Sequence, residues 1–429
     1  MRKYLRRLFI ALFLGSILPI CAQETLTIFQ CYGLARENYP KIHQYGLINQ
    51  TEQYQLSNIG KAWLPQLAIN AQASYQSDVT ELPFNGKQIS SLLPGTDIPV
   101  LSKDQYRIVA QIDQTLWDGG NSQSSKVSAK AKAETERKSL ESELYTLNAR
   151  INHLYFGCLL QKELIQQNAL LQENLQTNIK RLHAMMAQGV ANQSDLESIQ
   201  VELLKAKQQE TTLRASMQAY RQMLGIMINH PVSENTVLTL PELPQQSPSS
   251  AINRPEMHAL QAQEEWLHTC QRRLTAGLMP RLSAFVQGGY GRPALNMLSN
   301  NFEGFYVAGI RLSWNLGKLY TLKNDRREIT AQQSQLQLQK ETFLFNTRLQ
   351  LLEQDTEIQK MQELMQTDQQ IIQLRSNIKK AAEVKLENGV ISTSDLIREI
   401  NAEDQARQAA AVHRMEHLMQ LYQRLHITN

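Results

Sequence analysis

Near its carboxyl end the chain reads His413-Arg-Met-Glu416-His417, the order in which two histidines on one helical face hold zinc while a glutamate acts as base. Catalytic zinc also needs a third protein ligand and an enclosed site with an open coordination position. No other His or Cys motif stands ready to complete the set, so the pair reads as chance spacing on a polar helix, and a metallopeptidase is the weakest functional reading. Gly288-Gly289-Tyr290-Gly291 lacks the lysine of a phosphate loop and precedes no helix at the required spacing; it reads as the exit of a strand. Beyond the leader, Cys31, Cys158 and Cys270 show neither metal-ligand spacing nor an even count, which argues against a disulfide framework. No catalytic residue, metal or cofactor is expected.

Two further segments carry chemistry of a different kind: Gly189-Val190 followed by Ser194-Asp195-Leu196, and Gly389-Val390 followed by Ser394-Asp395-Leu396. In each, glycine supplies a left-handed stop to one helix, and Ser and Asp cap or complement the start of the next. Such turns serve structure first. Presented together at one end of a helical assembly, they also offer a docking surface.

These turns belong to a chain written twice. Asn38-x-Pro40 and Leu64-Pro65 recur 215 positions on at Asn253-x-Pro255 and Met279-Pro280, Val109-Ala110-x-Ile112 recurs 198 positions on at Val307-Ala308-x-Ile310, and the Gly-Val turns are 200 apart. The first repeat spans residues 23–230, the second 256–429, and the Pro- and Ser-rich stretch 231–255, with a strand-like piece at Val237 to Leu240, connects them. The change of offset places a longer loop in the first half, within Gln76 to Gln105.

From about Asn121 to Met186 there is no proline, and Leu140, Leu144, Leu147, Ile151, Leu154 and Cys158 mark a heptad seam. The matching stretch, Tyr320 to Leu386, offers Ile371, Leu374, Ile378 and Ala381. Each helix would run roughly 100 Å. Flanking helices are expected over Ile28 to Ala62 and Gln193 to Asn229, all with polar outer faces suited to water.

Between the helices the period changes to two. Leu67, Ile69, Ala71, Ala73 and Tyr75, then Tyr106, Ile108, Ala110, Ile112 and Leu116, then Leu282, Ala284 and Val286, then Tyr306, Ala308, Ile310 and Leu312 alternate with polar residues. Strands are predicted at about 66–76, 106–116, 281–290 and 305–314, long enough to cross a bilayer when tilted. Trp63, Trp117 and Trp314 stand where these strands adjoin the helices, as a membrane-interface belt would. Four strands cannot close a barrel, so several chains must share one.

The first 22 residues read as a secretory signal peptide, with Arg2, Lys3, Arg6 and Arg7 before an apolar run and a small-residue exit at Cys21-Ala22. Ile20 stands where acylation of Cys21 would want a small residue. Without the leader, 40 Lys and Arg balance 40 Asp and Glu, so nothing points to a nucleic-acid partner.

Ala35-x-x-Asn38-x-Pro40, Leu64-Pro65, Leu116-Trp117-Asp118-Gly119-Gly120 and the paired Gly-Val to Ser-Asp-Leu turns, in this order, resemble the TolC-type outer-membrane efflux proteins. The resemblance implies a mainly α membrane protein: an internally duplicated protomer of a homotrimeric twelve-stranded β-barrel, four strands per chain, continued by a long periplasmic α-helical barrel. It implies an outer-membrane channel that passes substrates driven by an inner-membrane transporter through a periplasmic adaptor, with outer-membrane lipid around the strands. Asp195 and Asp395 match aspartates at that family's periplasmic entrance, Asp395 at the constriction. Gly189, Val190, Ser194, Leu196, Gly389, Val390, Ser394 and Leu396 fall at its adaptor-docking tips. Two departures stand out: Ile391 occupies the place of a gate arginine and Arg398 that of a further aspartate. The competing reading from the residues is a coiled-coil scaffold of the cell envelope, which has no use for four membrane-length strands.

Overall fold

The computed structural model describes residues 25–79, 102–243, 252–297 and 299–429. The segment expected as a signal peptide, most of the longer loop and part of the connector lie outside the described residues. In chain order the elements are β1 (Thr25–Leu26), α1 (Ile28–Asn38), α2 (Gln44–Lys61), β2 (Gln66–Tyr75), β3 (Asp104–Trp117), α3 (Asn121–Ala187), α4 (Gln193–Ile228), β4 (Val237–Leu238), α5 (Pro255–Ala276), β5 (Arg281–Arg292), β6 (Glu303–Ser313), α6 (Leu319–Glu387) and α7 (Thr393–Thr428). Helix, two strands, long helix and return helix therefore occur twice in the same order. The chain forms two compact units, one of residues up to His43, Leu140–Pro255 and Thr342–Asn429, the other of Gln44–Ser139 and Glu256–Glu341.

The first unit is helical. Its core gathers the heptad seam of α3, with Ile151, Tyr155 and Cys158 almost wholly buried, against Ile28 and Cys31 of α1, Leu224 and Ile228 of α4, and Met415 and Tyr422 of α7. The connector's strand β4 pairs in parallel with β1, and the Tyr155 hydroxyl fastens this ribbon by donating toward the carbonyls of Leu26 and Thr239 at 2.8 and 2.7 Å. A second cluster joins Leu175 and Leu182 of α3, Leu196 and Ile199 of α4, Ala382 and Leu386 of α6, and Leu396 and Ile400 of α7.

Two expectations are corrected here. Ile28 to Ala62 is not one helix: α1 stops at Asn38, a 3-10 turn occupies Pro40–His43, and α2 begins at Gln44. Pro40 cannot donate a backbone hydrogen bond and its ring clashes with the preceding turn, so the helix breaks there. The seam Ile371, Leu374, Ile378 and Ala381 of α6 is exposed, whereas Ile358, Met361, Lys379, Ala382 and Leu386 of the same helix are buried. The apolar stripe thus faces away from the chain's own helices.

The second unit holds a four-stranded antiparallel sheet in the order β2-β3-β5-β6. At the end of β3, Thr115 pairs with Ser283 and Trp117 with Leu282, so Leu116 is the extra residue of a bulge and does not continue the alternation expected of it. Among the helices of the same unit, Arg137 of α3 forms an ion pair with Glu52 of α2, and the Thr135 hydroxyl donates to the Ala262 carbonyl of α5 at 3.0 Å.

Candidate functional site: two helical turns and an inverted sheet

Helices α3 and α6 end in the same way. The amide of Gly189 donates to the carbonyl of Met186 at 3.0 Å and that of Val190 to Met185 at 2.9 Å; Gly389 and Val390 repeat this toward Leu386 and Lys385 at 2.9 and 2.8 Å. This double return bond requires a left-handed residue, and both glycines supply it with φ of +76° and +69°. The caps of the next helices are Asn192 and Ser392, not the expected Ser194 and Ser394. Each cap side chain accepts from the amide of Asp195 or Asp395, whose carboxylate accepts in return from the cap amide. The reciprocal box needs a polar residue three places before the aspartate, and Asn192-x-x-Asp195 and Ser392-x-x-Asp395 carried that signal in the sequence.

The turns sort the expected docking residues by exposure. Val190 and Val390 are exposed by 54% and 68%, unusual for valine, while Leu196 and Leu396 are buried in the helical core and present no side chain to a partner. Ser194 and Ser394 are exposed. Asp395 accepts from the Ser392 hydroxyl at 2.7 Å and lies 3.3 Å from Arg398. The hydrogen bond from Ser392, assisted by Arg398, holds its carboxyl below the usual range. Just behind the turns, Arg181 of α3 reaches Glu383 and Glu387 of α6 at 3.2 and 3.7 Å, and Asn401 of α7 donates to Glu202 of α4 at 3.3 Å.

The sheet is inside out for a soluble protein. Register places Leu67, Ile69, Ala71, Ile108, Ala110, Ile112, Val286, Ala308, Ile310 and Leu312 on one face. On that face Leu67, Ile69, Ile310 and Leu312 are each about two-thirds exposed. Gln66, Asn70, Gln72, Arg107, Gln111, Asp113, Gln287 and Arg311 share the opposite face. Trp63, Trp117 and Trp314 are exposed at one end of the strands. Tyr75, Tyr106, Tyr290 and Tyr306 are exposed on the apolar face toward the other end, a second aromatic row that the tryptophans alone did not disclose. No described helix is long and apolar enough to cross a membrane.

The zinc-like pair is accounted for by packing. His413 Nδ1 lies 2.9 Å from Asp368 of α6, and His417 is buried, which lowers its pKa. Among the described residues no three His, Cys, Asp or Glu side chains form a metal-binding group.

Residues 31–229 match the profile of the family described as Outer membrane efflux protein. No curated protein sequence matches the chain. Among solved structures, the outer membrane protein VceC of Vibrio cholerae superposes with a TM-score of 0.64 at 12% identity, over 94% of this chain and 96% of that one. The CmeC outer membrane channel of Campylobacter jejuni gives 0.64 at 12% over 94% and 85%, and the open state of the MtrE outer membrane channel of Neisseria gonorrhoeae 0.64 at 15% over 93% and 88%.

Proposed function

We propose, from the match of residues 31–229 to the outer membrane efflux protein family and from the shared fold, that this chain is the outer-membrane channel of a tripartite export system, a passive conduit for small molecules or secreted substrates. The family is one of channels and not of enzymes. The observation that carries the reading is the exposed apolar face of the sheet: Leu67, Ile69, Ile310 and Leu312 would be an aggregation hazard in water and are what a bilayer requires.

The sheet order leaves β2 and β6 as open edges, and unpaired backbone groups are not tolerated in hydrocarbon. Three chains, contributing four strands each, close these edges into a twelve-stranded barrel. Two uncovered stretches of α6, Phe345, Leu349 and Leu352 at steps of 4 and 3, then Leu364, Ile371, Leu374 and Ile378 at steps of 7, 3 and 4, support the same assembly, since each has coiled-coil spacing and is left for another copy to cover. The Gly189-Val190 and Gly389-Val390 turns then receive the helical tips of a periplasmic adaptor, which connects the channel to an inner-membrane transporter. Asp195 and Asp395 ring the periplasmic entrance. Native mass spectrometry of the protein extracted from outer membranes tests the assembly: the reading expects trimers, and a monomer recovered from the soluble periplasm would overturn it.

A further inference from the structure

The polar face of the sheet carries two arginine-phenylalanine contacts. Arg107 of β3 and Phe305 of β6 meet across β5, the guanidinium carbon 5.0 Å from the ring centroid. Their pairing partners on β5 are Gly291 and Gly289, so the two side chains reach each other over a stretch of strand with no side chain on this face. A Cβ at Gly289 would come within 2.5 Å of the Phe305 ring. A second contact joins neighbouring strands: the Arg311 guanidinium of β6 lies 4.5 Å from the ring of Phe285 of β5, which stands opposite Gly309, where a Cβ would approach that ring to 3.2 Å.

A guanidinium held over an aromatic ring still has N–H groups to offer an anion and loses little further freedom on binding one. Arg311 also lies 3.6 Å from Asp113, whereas Arg107 has no ion-pair partner among the described residues. Over all four strands this face carries Arg107, Arg281 and Arg311 against Asp113 and Glu303, a surplus of cation in every chain.

We propose that the two arginine-phenylalanine contacts form a binding ring for small inorganic and carboxylate anions inside the barrel and bias its permeability toward them. This rests on the channel reading, because it needs the polar face to line water. Water-filled pores select by rings of charged side chains, and positive rings favour anions. The site is separate from the Asp395 turn and opposite to it in sign.

The test is the reversal potential across a planar bilayer under a potassium chloride gradient. Replacing both arginines, Arg107→Gln with Arg311→Gln, is expected to lower the chloride-to-potassium permeability ratio about twofold or more, and Gln111→Arg, which adds a cation to the same face, to raise it. Gln111→Arg keeps the question open to refutation where the double variant fails to assemble. Reversal potentials that stay at the wild-type value in the variants that form pores would overturn the proposal. A wild-type protein that forms no pore would instead overturn the channel reading, and this inference with it.

Discussion

Lys379 Nζ on α6 lies 2.7 Å from a carboxylate oxygen of Glu403 on α7, with the two side chains only 9% and 4% exposed. Burial alone would raise the Glu403 pKa, yet the hydrogen bonds from Lys379 and from Arg407, 2.7 Å away, hold it below the ordinary value. Lys379→Ala leaves the buried carboxylate to Arg407 alone and is expected to destabilise the helical unit by about 3 kcal/mol, read as a lowered denaturation midpoint. Lys379→Met combined with Glu403→Leu removes both charges and is expected to restore most of that loss. If the double variant is no more stable than the single one, the pair is not what holds α6 and α7 together here.

Asp404, the next residue, behaves oppositely, because burial outweighs the hydrogen bond from Gln408 at 2.6 Å and pushes its pKa up from 3.8 to about 6. The native chain therefore retains a proton that the unfolded chain releases. Stability from this group is fully present below the unfolded pKa and is lost as pH rises through about 6. Asp404→Asn is expected to raise the melting temperature at about pH 8 and to change it little at about pH 4. An equal shift at both pH values would show that ionisation of Asp404 is not the cause.

On the sheet, Ile108 lies on the apolar face and Gln111 on the polar one. Ile108→Arg places a charge in lipid, at about 2 to 4 kcal/mol near the midplane, and is expected to impair outer-membrane assembly, whereas Gln111→Arg is expected to leave it intact. Heat-resistant trimer on gels of outer-membrane fractions reports the outcome. Equal amounts of the two variants would contradict the assignment of faces.

Much of this sheet was legible before the structure, because strict alternation fixes which residues share a face once strands pair. Its neighbour order and the Leu116 bulge were not, since both depend on how strands distant in sequence meet. The long helices announced themselves by absent prolines and by seams, but periodicity cannot say whether a seam is filled by the chain's own helices or by another copy. That is why Leu140 to Cys158 is buried and Ile371 to Ala381 is not. At the turns the glycines were readable from their type alone. The caps stand two residues before Ser194 and Ser394, at Asn192 and Ser392, because only these lie three places before the aspartate that completes the box.

Asp395 shares its charge with Arg398 in each chain. Trivalent cations applied from the periplasmic side are expected to block wild-type pores, Asp395→Ala pores only at higher concentration, and Arg398→Ala pores at lower concentration, because that substitution frees the carboxylates to act as a ring. Identical blocking concentrations for all three would remove Asp395 from the entrance.

The central claim, that chains carrying this inverted sheet assemble into a water-filled duct, is tested most directly by single-channel recording. Purified protein added to a planar bilayer is expected to produce discrete, long-lived conductance steps of uniform size, and Ile108→Arg protein far fewer of them. Wild-type protein that leaves the bilayer electrically silent while remaining folded and helical in solution would contradict the account.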